Sequence, residues 1–354
     1  MSCRFLGYAT AALLLLFANR PIAGQTVTGQ TPIRIWGHGA AGHDYIESLV
    51  IKWEAGFRMV HPEVQFDNEL HGTASAIGSL YTGTGDIAIM GREIWPLEVD
   101  AFEDVHHYPP LGIDIVTGSL DIRNKDFALV VFINRKNPLA RLSLPQIAKL
   151  FGAEQKPPAT WGELGLTGEW AARPIDLYGF EIHRGFGYYL EQRVMNGSAK
   201  WNPALVELGD VKRANGSLLD AGQRIVDAIG ADPNAIGYSS LLYKNPEVRA
   251  VPIGPAAGPF LLPTHETIAN HTYALTRSIT AYIDRAPGKP ADPRVEAFLR
   301  YVLSAEGQQA VIEDGGYTAL PAALAKAEAA KLDSPGRQKA MVQPVRAPAH
   351  GPAQ

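Results

Sequence analysis

The 354-residue chain has a single cysteine, Cys3, and it stands ahead of a short apolar run near the N-terminus. A chain trimmed after that run keeps no thiol, which excludes disulfides, cysteine-ligated zinc and a cysteine nucleophile. Cys3 also lies on the wrong side of the run for lipid attachment. The run, residues 11–17, is too short to span a bilayer. With Arg4 before it and Ala18, Ala23 and Gly24 after it, residues 1–24 read as a secretory signal peptide. The expected location is the periplasm or the exterior.

Catalytic signatures are scarce as well. No Gly-x-Ser-x-Gly occurs. His265-Glu266 lacks the second histidine of a helical zinc motif. His106 and His107 are adjacent, and on a strand they would face opposite sides. The expectation is no enzyme, no metal and no cofactor. Excess positive charge is missing too. The formal net charge is −4. Removing the leader's two positive charges (Arg4, Arg20) and the tail's surplus of three beyond residue 322 leaves the body at −9. Such a body disfavours nucleic acid and acidic membranes. Any anion must be held by a local array of donors against the global field.

Apolar residues are plentiful at 46% of the chain, enough for a sizeable core. Residues 33–36 read as a strand. Residues 45–60 read as a helix with Ile46, Leu49, Val50, Trp53 and Phe57 on one face, stopped by His61-Pro62. Strands 64–70 and 87–90 bracket a helix over 72–81, an alternation that implies a parallel sheet. Residues 127–134 suit a strand buried on both faces. A helix over 143–151 is capped by Ser143. Strands follow at 174–178, 235–238, 248–253 and 279–283, and helices at 185–195, 218–229, 294–303 and 306–313. Residues 322–354, rich in Ala, Pro and Lys, read as a disordered tail.

Three stretches carry more than local structure. They are residues 86–93 (DIAIMGRE), 134–141 (NRKNPLAR) leading into 144–152 (LPQIAKLFG), and 304–320 (SAEGQQAVIEDGGYTAL). In order and spacing they resemble the phosphate-binding proteins of bacterial ABC transporters, over about residues 33–321. The resemblance implies an α/β fold with two type II periplasmic-binding-protein-like lobes. Lobe I would hold residues 31–115 and 255–321, and lobe II residues 116–254. Two crossing segments, near residues 112–121 and 254–263, would form a hinge, with the ligand in the cleft. It also implies capture of phosphate or a related oxyanion by a monomer, for an ABC permease of the inner membrane. A sensory or binding module for an organic anion is the alternative, and a hydrolase on the same lobes a third reading.

On that resemblance four loops supply the ligand site. The first brings Gly39 and Ala40, the second Thr73, Ala74 and Ser75, the third Glu181, His183, Arg184 and Gly185, and the fourth Gly91 and Arg92. Helix N-termini offer free amides and a favourable dipole, and Thr73 and Ser75 offer hydroxyls or cap their helix. The chain departs from the phosphate pattern at several of these positions. Relatives typically show Arg-Asp-x-x-Ser-Gly-Thr in the third loop, where this chain has Phe180, Glu181, Arg184, Gly185 and Phe186. Ala40 and Ala41 stand where hydroxyls are usual, and Gly91 where a Ser-Arg pair is common. Neutral donors are thus lost and His183 and Arg184 gained, which would act as charge-assisted donors. Arg92 either reaches the ligand or locks its loop through Glu93 or Asp86. Phe180, Phe186 and Tyr188 would suit the organic ligand.

Overall fold

The computed structural model describes residues 31–40 and 43–333. The expected leader, Ala41 of the first loop, and residues 334–354 of the expected tail lie outside them.

Strand β1 (Ile33–Gly37) alternates buried and half-buried residues. Helix α1 (Glu47–Arg58) turns Leu49, Val50, Trp53 and Phe57 inward, the three- and four-residue spacing of a core-facing stripe. Strands β2 (Phe66–Glu69) and β3 (Ile87–Met90) flank β1, both parallel to it, with α2 (Ala76–Tyr81) between them in sequence. Helix α3 (Pro96–His106) went unseen in the sequence because it buries only Phe102 and leaves Leu97 and Val105 exposed. His106 closes that helix and His107 follows with a φ of 66°, so the pair sits at a helix end and not on a strand. Strand β4 (Leu111–Thr117) completes the outward path.

The chain then crosses over residues 118–129. Lobe II comprises β5 (Val130–Asn134), β6 (Leu142–Ser143), α4 (Leu144–Phe151), β7 (Asp176–Gly179), α5 (Gly185–Val194), β8 (Leu205–Glu207), β9 (Val211–Lys212), β10 (Leu218–Leu219), α6 (Ala221–Ala231), β11 (Ala235–Ser239), β12 (Val248–Ala250), β13 (Ile253–Gly254) and α7 (His265–Ala269). Its main sheet runs β12-β5-β11-β7-β8. All five residues of β5 are buried, as the apolar run predicts. Ser143 caps α4 reciprocally with Gln146.

The return crossing falls between Leu275 and Ser278, later than residues 254–263. Residues 253–261 instead fold back through an antiparallel bridge, Ile253 to Leu261. Ile268, Tyr273 and Leu275 then bury in the lobe II core. Likewise the first crossing starts only after β4, which belongs wholly to lobe I.

Strand β14 (Ser278–Ile283) inserts between β3 and β4, antiparallel to both, giving the order β2-β1-β3-β14-β4. The sheet is therefore mixed, not parallel throughout. β1, β3 and β4 run toward the junction of the lobes, whereas β14 enters from it and must run away. β5, the first strand after the other crossing, is antiparallel to its neighbours β11 and β12 for the same reason. Helices α8 (Pro293–Val302) and α9 (Ala305–Asp314) cover lobe I, where Trp53 donates its indole N–H to Gly307 O at 2.8 Å.

Part of the expected tail is folded. Residues Ala322–Asp333 form helix α10, burying Ala325, Glu328 and Leu332. It lies along edge strand β4. Glu328 accepts the Asp114 N–H at 2.8 Å, and Lys331 donates to Gly112 O at 3.2 Å. Unpaired edge groups are thereby satisfied. Its alanine-rich face is too weakly apolar to stand out in the sequence.

Candidate functional site

Both crossings and the loops after β1, β3 and β7 meet where the two lobes join. At the centre is Arg277, on the return crossing, with its side chain 1% exposed. It donates through Nε and Nη2 to the two carboxylate oxygens of Glu93, at 3.2 and 2.8 Å. Its Nη1 lies 3.4 Å from Asp126 Oδ1. The guanidinium rests over the rings of Phe186 and Tyr189, at 5.0 and 5.3 Å. Burial opposes the charge on Arg277, but Glu93 and Asp126 outweigh it and raise its pKa.

Asp126, on the first crossing, also faces His38 from the β1 loop. Their Oδ2 and Nε2 atoms are 2.7 Å apart. That contact is an ion-pair distance without hydrogen-bond alignment: His38 Nε2 engages the Tyr317 hydroxyl at 2.9 Å. Asp126 Oδ2 has no hydrogen-bond partner among the described residues. Burial raises the Asp126 pKa, but His38 first and Arg277 second overcome it, so the carboxyl is held below its ordinary value of 3.8. Next along the crossing, buried Lys125 donates to Tyr45 O at 2.7 Å and sits 3.5 Å from Asp44. The first crossing and the β1 loop are thus tied by two adjacent side chains.

The structure sorts the residues expected from the sequence. Gly39 is explained by packing, since a Cβ there would lie 1.8 Å from Leu70 O. Ala40 pairs with His43 in an isolated bridge. Thr73 reaches the centre, with Oγ1 3.5 Å from His38 Nδ1 and 3.4 Å from the Gly91 N–H nitrogen. Ala74 and Ser75 are exposed, and Ser75 donates back to Gly72 O at 2.9 Å. Gly91 is buried against His38 and Asp126. Arg92 locks its loop, with its ion pair to Glu98 rather than to the Glu93 or Asp86 carboxylate: two bonds of 2.7 Å, one further bond to the Glu93 backbone O at 3.0 Å, and the guanidinium 4.1 Å from the Trp95 ring centre. Asp86 is occupied by Arg34.

The third loop divides. The Arg184 side chain is 76% exposed and pairs with Glu181 at 3.2 Å, so the two charges cancel at the surface. His183 is exposed. Gly185, by contrast, opens α5 against lobe I, where a Cβ would lie 3.5 Å from Arg92 Cβ and 3.8 Å from Arg277 Nη2. Phe180 and Phe186 pack together at 4.8 Å, and Phe186 stacks on Phe127 at 4.4 Å and 12°. Tyr188 meets Trp95 edge-on at 6.2 Å across the lobes.

Sequence reasoning missed His38, Asp126, Arg277 and Tyr317. Each was visible only as a neighbour of something else. His38 sits in the glycine-rich turn, Asp126 just before the β5 run, Arg277 just before β14, and Tyr317 inside the 304–320 stretch.

Several curated relatives match most of the chain. The phosphate-binding protein PstS of Pseudomonas aeruginosa is 31% identical over 294 residues, covering 81% of this chain and 84% of that protein. The chain belongs to the PstS phosphate-binding protein family. The PstS of Staphylococcus haemolyticus is 24% identical over 285 residues, covering 78% and 77%. No family model matches the sequence. Among solved structures, PstS from Borrelia burgdorferi has a TM-score of 0.54 at 14% identity, covering 82% of this chain and 100% of that one. An ABC-type phosphate transport receptor from Vibrio cholerae has a TM-score of 0.51 at 18% identity, with the same coverages. These likenesses establish the fold as the two-lobed type II periplasmic-binding-protein type. Within the PstS family, members are binding proteins of transporters. Among the described residues no helix is long and apolar enough to cross a membrane.

Proposed function

We propose that this protein captures phosphate, or a closely related oxyanion, between its lobes and presents it to an ABC permease. The observation that carries this reading is the meeting of Arg92 and Arg277 with the N-terminus of α5 at Gly185. The first amides of α5 have no partner within the helix, and the helix dipole adds partial positive charge there. Arg277 Nη2 lies 3.8 Å and the aliphatic stem of Arg92 3.5 Å from the Cβ position of Gly185, and each guanidinium is already paired with a carboxylate. Glu93 and Glu98 hold those groups in fixed planes, which gives the site geometry at the expense of some charge.

Asp126 Oδ2 supports protonated phosphate over sulfate. This oxygen faces His38 Nε2 at 2.7 Å without an aligned hydrogen bond, so it keeps capacity to accept a proton from a ligand. Monohydrogen phosphate carries such a proton, and sulfate does not. The aromatic residues favour the inorganic ligand, because Phe180, Phe186 and Phe127 are consumed in packing against one another and do not present a free wall. Export, a monomeric state and the named permease partner are part of the same proposal.

Calorimetry on protein unfolded, dialysed free of anion and refolded tests it. Phosphate is expected to bind, with sulfate much weaker. No heat with phosphate, arsenate, sulfate or molybdate would end the proposal.

A further inference from the structure

Gly91 directly follows β3 at the floor of the cleft and does not adopt a positive φ. Space rather than backbone conformation therefore demands glycine there. A Cβ at this position would lie 2.2 Å from both Cε1 and Nδ1 of His38, and 2.6 Å from Asp126 Oδ2. The imidazole cannot swing aside cheaply. His38 is 4% exposed, its Nε2 is held between Tyr317 and Asp126, and Thr73 stands at its other nitrogen. The volume that belongs to a side chain at residue 91 is filled by a ring arriving from a different strand.

The ring's second nitrogen is the underused one. Nδ1 has only the Thr73 hydroxyl, at 3.5 Å, the outer limit of a hydrogen bond. Thr73 Oγ1 in turn receives the Gly91 N–H at 3.4 Å, also long. Thr73 Oγ1 thus stands between Nδ1 and the Gly91 amide in a chain of two long hydrogen bonds that satisfies all three groups poorly. A ligand oxygen shared among them would satisfy them better.

From this we infer that His38 is a ligand-contacting, specificity-determining residue, standing where residue 91 would otherwise contribute a side chain. The inference deepens the proposed oxyanion function and rests on it. It assigns the ligand's innermost oxygen to an imidazole, a hydroxyl and a backbone amide, a set suited to a small tetrahedral oxyanion with one oxygen buried.

Four variants and one ligand, inorganic phosphate, test it: His38→Ala, His38→Asn, Gly91→Ser and the double His38→Ala/Gly91→Ser. His38→Ala is expected to weaken phosphate binding at least about tenfold. His38→Asn, which keeps a side-chain donor, should retain more affinity than His38→Ala, and it serves if the alanine variant does not fold. Gly91→Ser alone should lower the melting temperature and abolish measurable binding. The double variant should recover part of the melting temperature, with the Asp126 Oδ2 contact remaining, and bind more tightly than Gly91→Ser, because the two side chains exclude each other. If the parent binds phosphate and both His38 variants bind it as tightly, His38 is no ligand contact and the inference falls alone. If Gly91→Ser folds and binds like the parent, the shared volume is refuted. If the parent itself binds no oxyanion, the proposed function fails, and the inference goes with it.

Discussion

Arg277 and Glu93 meet through two hydrogen bonds, at 3.2 and 2.8 Å, on segments 184 residues apart in the chain. The pair joins the loop after β3 to the return crossing, and Asp126 adds the outward crossing to the same guanidinium. Both chain crossings are therefore tied to one buried cation. Removing it leaves Glu93 without its counter-charge and Asp126 with His38 alone, and breaking a buried pair in this way typically costs about 3–5 kcal/mol. Arg277→Met is expected to lose roughly that much in urea unfolding, and to lose phosphate binding. A variant as stable as the parent would show that the ion pair is not structural.

The two other arginines separate locking from binding. Arg92→Lys keeps the charge but loses the fork to Glu98 and the stacking on Trp95. A loss of roughly 1–3 kcal/mol is expected. Arg184→Ala touches a surface pair only, and phosphate affinity should change by less than about threefold. A tenfold loss at Arg184 would mean that the third loop rearranges to bring its guanidinium inward.

Asp126 makes stability depend on acid. Its pKa is depressed in the folded state, so its contribution is fully present above the unfolded value, near 3.8, and is lost as pH falls below that toward the folded value. The parent's melting temperature should drop through this window. Asp126→Asn should show a flatter acid limb. An identical limb in both would place the acid sensitivity elsewhere.

Helix α10 should prove essential to lobe I. Glu328→Ala leaves the Asp114 N–H of edge strand β4 without its acceptor and the Lys331 ammonium without its carboxylate, a cost of about 1–3 kcal/mol. Leu332→Ala, at a buried position, should cost about 2–5 kcal/mol. Urea melts of the two variants check both figures. Parent-like melts would mean that α10 docks without stabilising the sheet.

Closure is a further expectation about the ligand. Two crossings between two separate cores form a hinge, and the bound anion should stabilise the closed form by mass action. Small-angle scattering should show a smaller radius of gyration with phosphate, and the melting temperature should rise. Binding with unchanged scattering would mean that the ligand-free cleft is already shut.

The sequence alone was sufficient for the elements whose signal is local. The β5 run, the stripe on α1 and the Ser143 cap of α4 each follow from residues within one or two turns of each other, and burial or capping at that range is set by periodicity. The motif order was likewise enough for the family and hence for the two lobes. What the sequence could not decide is which side chains share a point in space. His38, Asp126 and Arg277 come from a strand-end loop and two different crossings, and charge pairing among them depends on how two sheets are joined, a contact with no periodic trace. The same holds for Arg184, whose partner Glu181 is close in sequence but whose exposure has no local trace. Helix α10 shows the limit from the other side: its apolar content is too low to call from sequence, and it folds because an edge strand with unpaired amides is there to receive it.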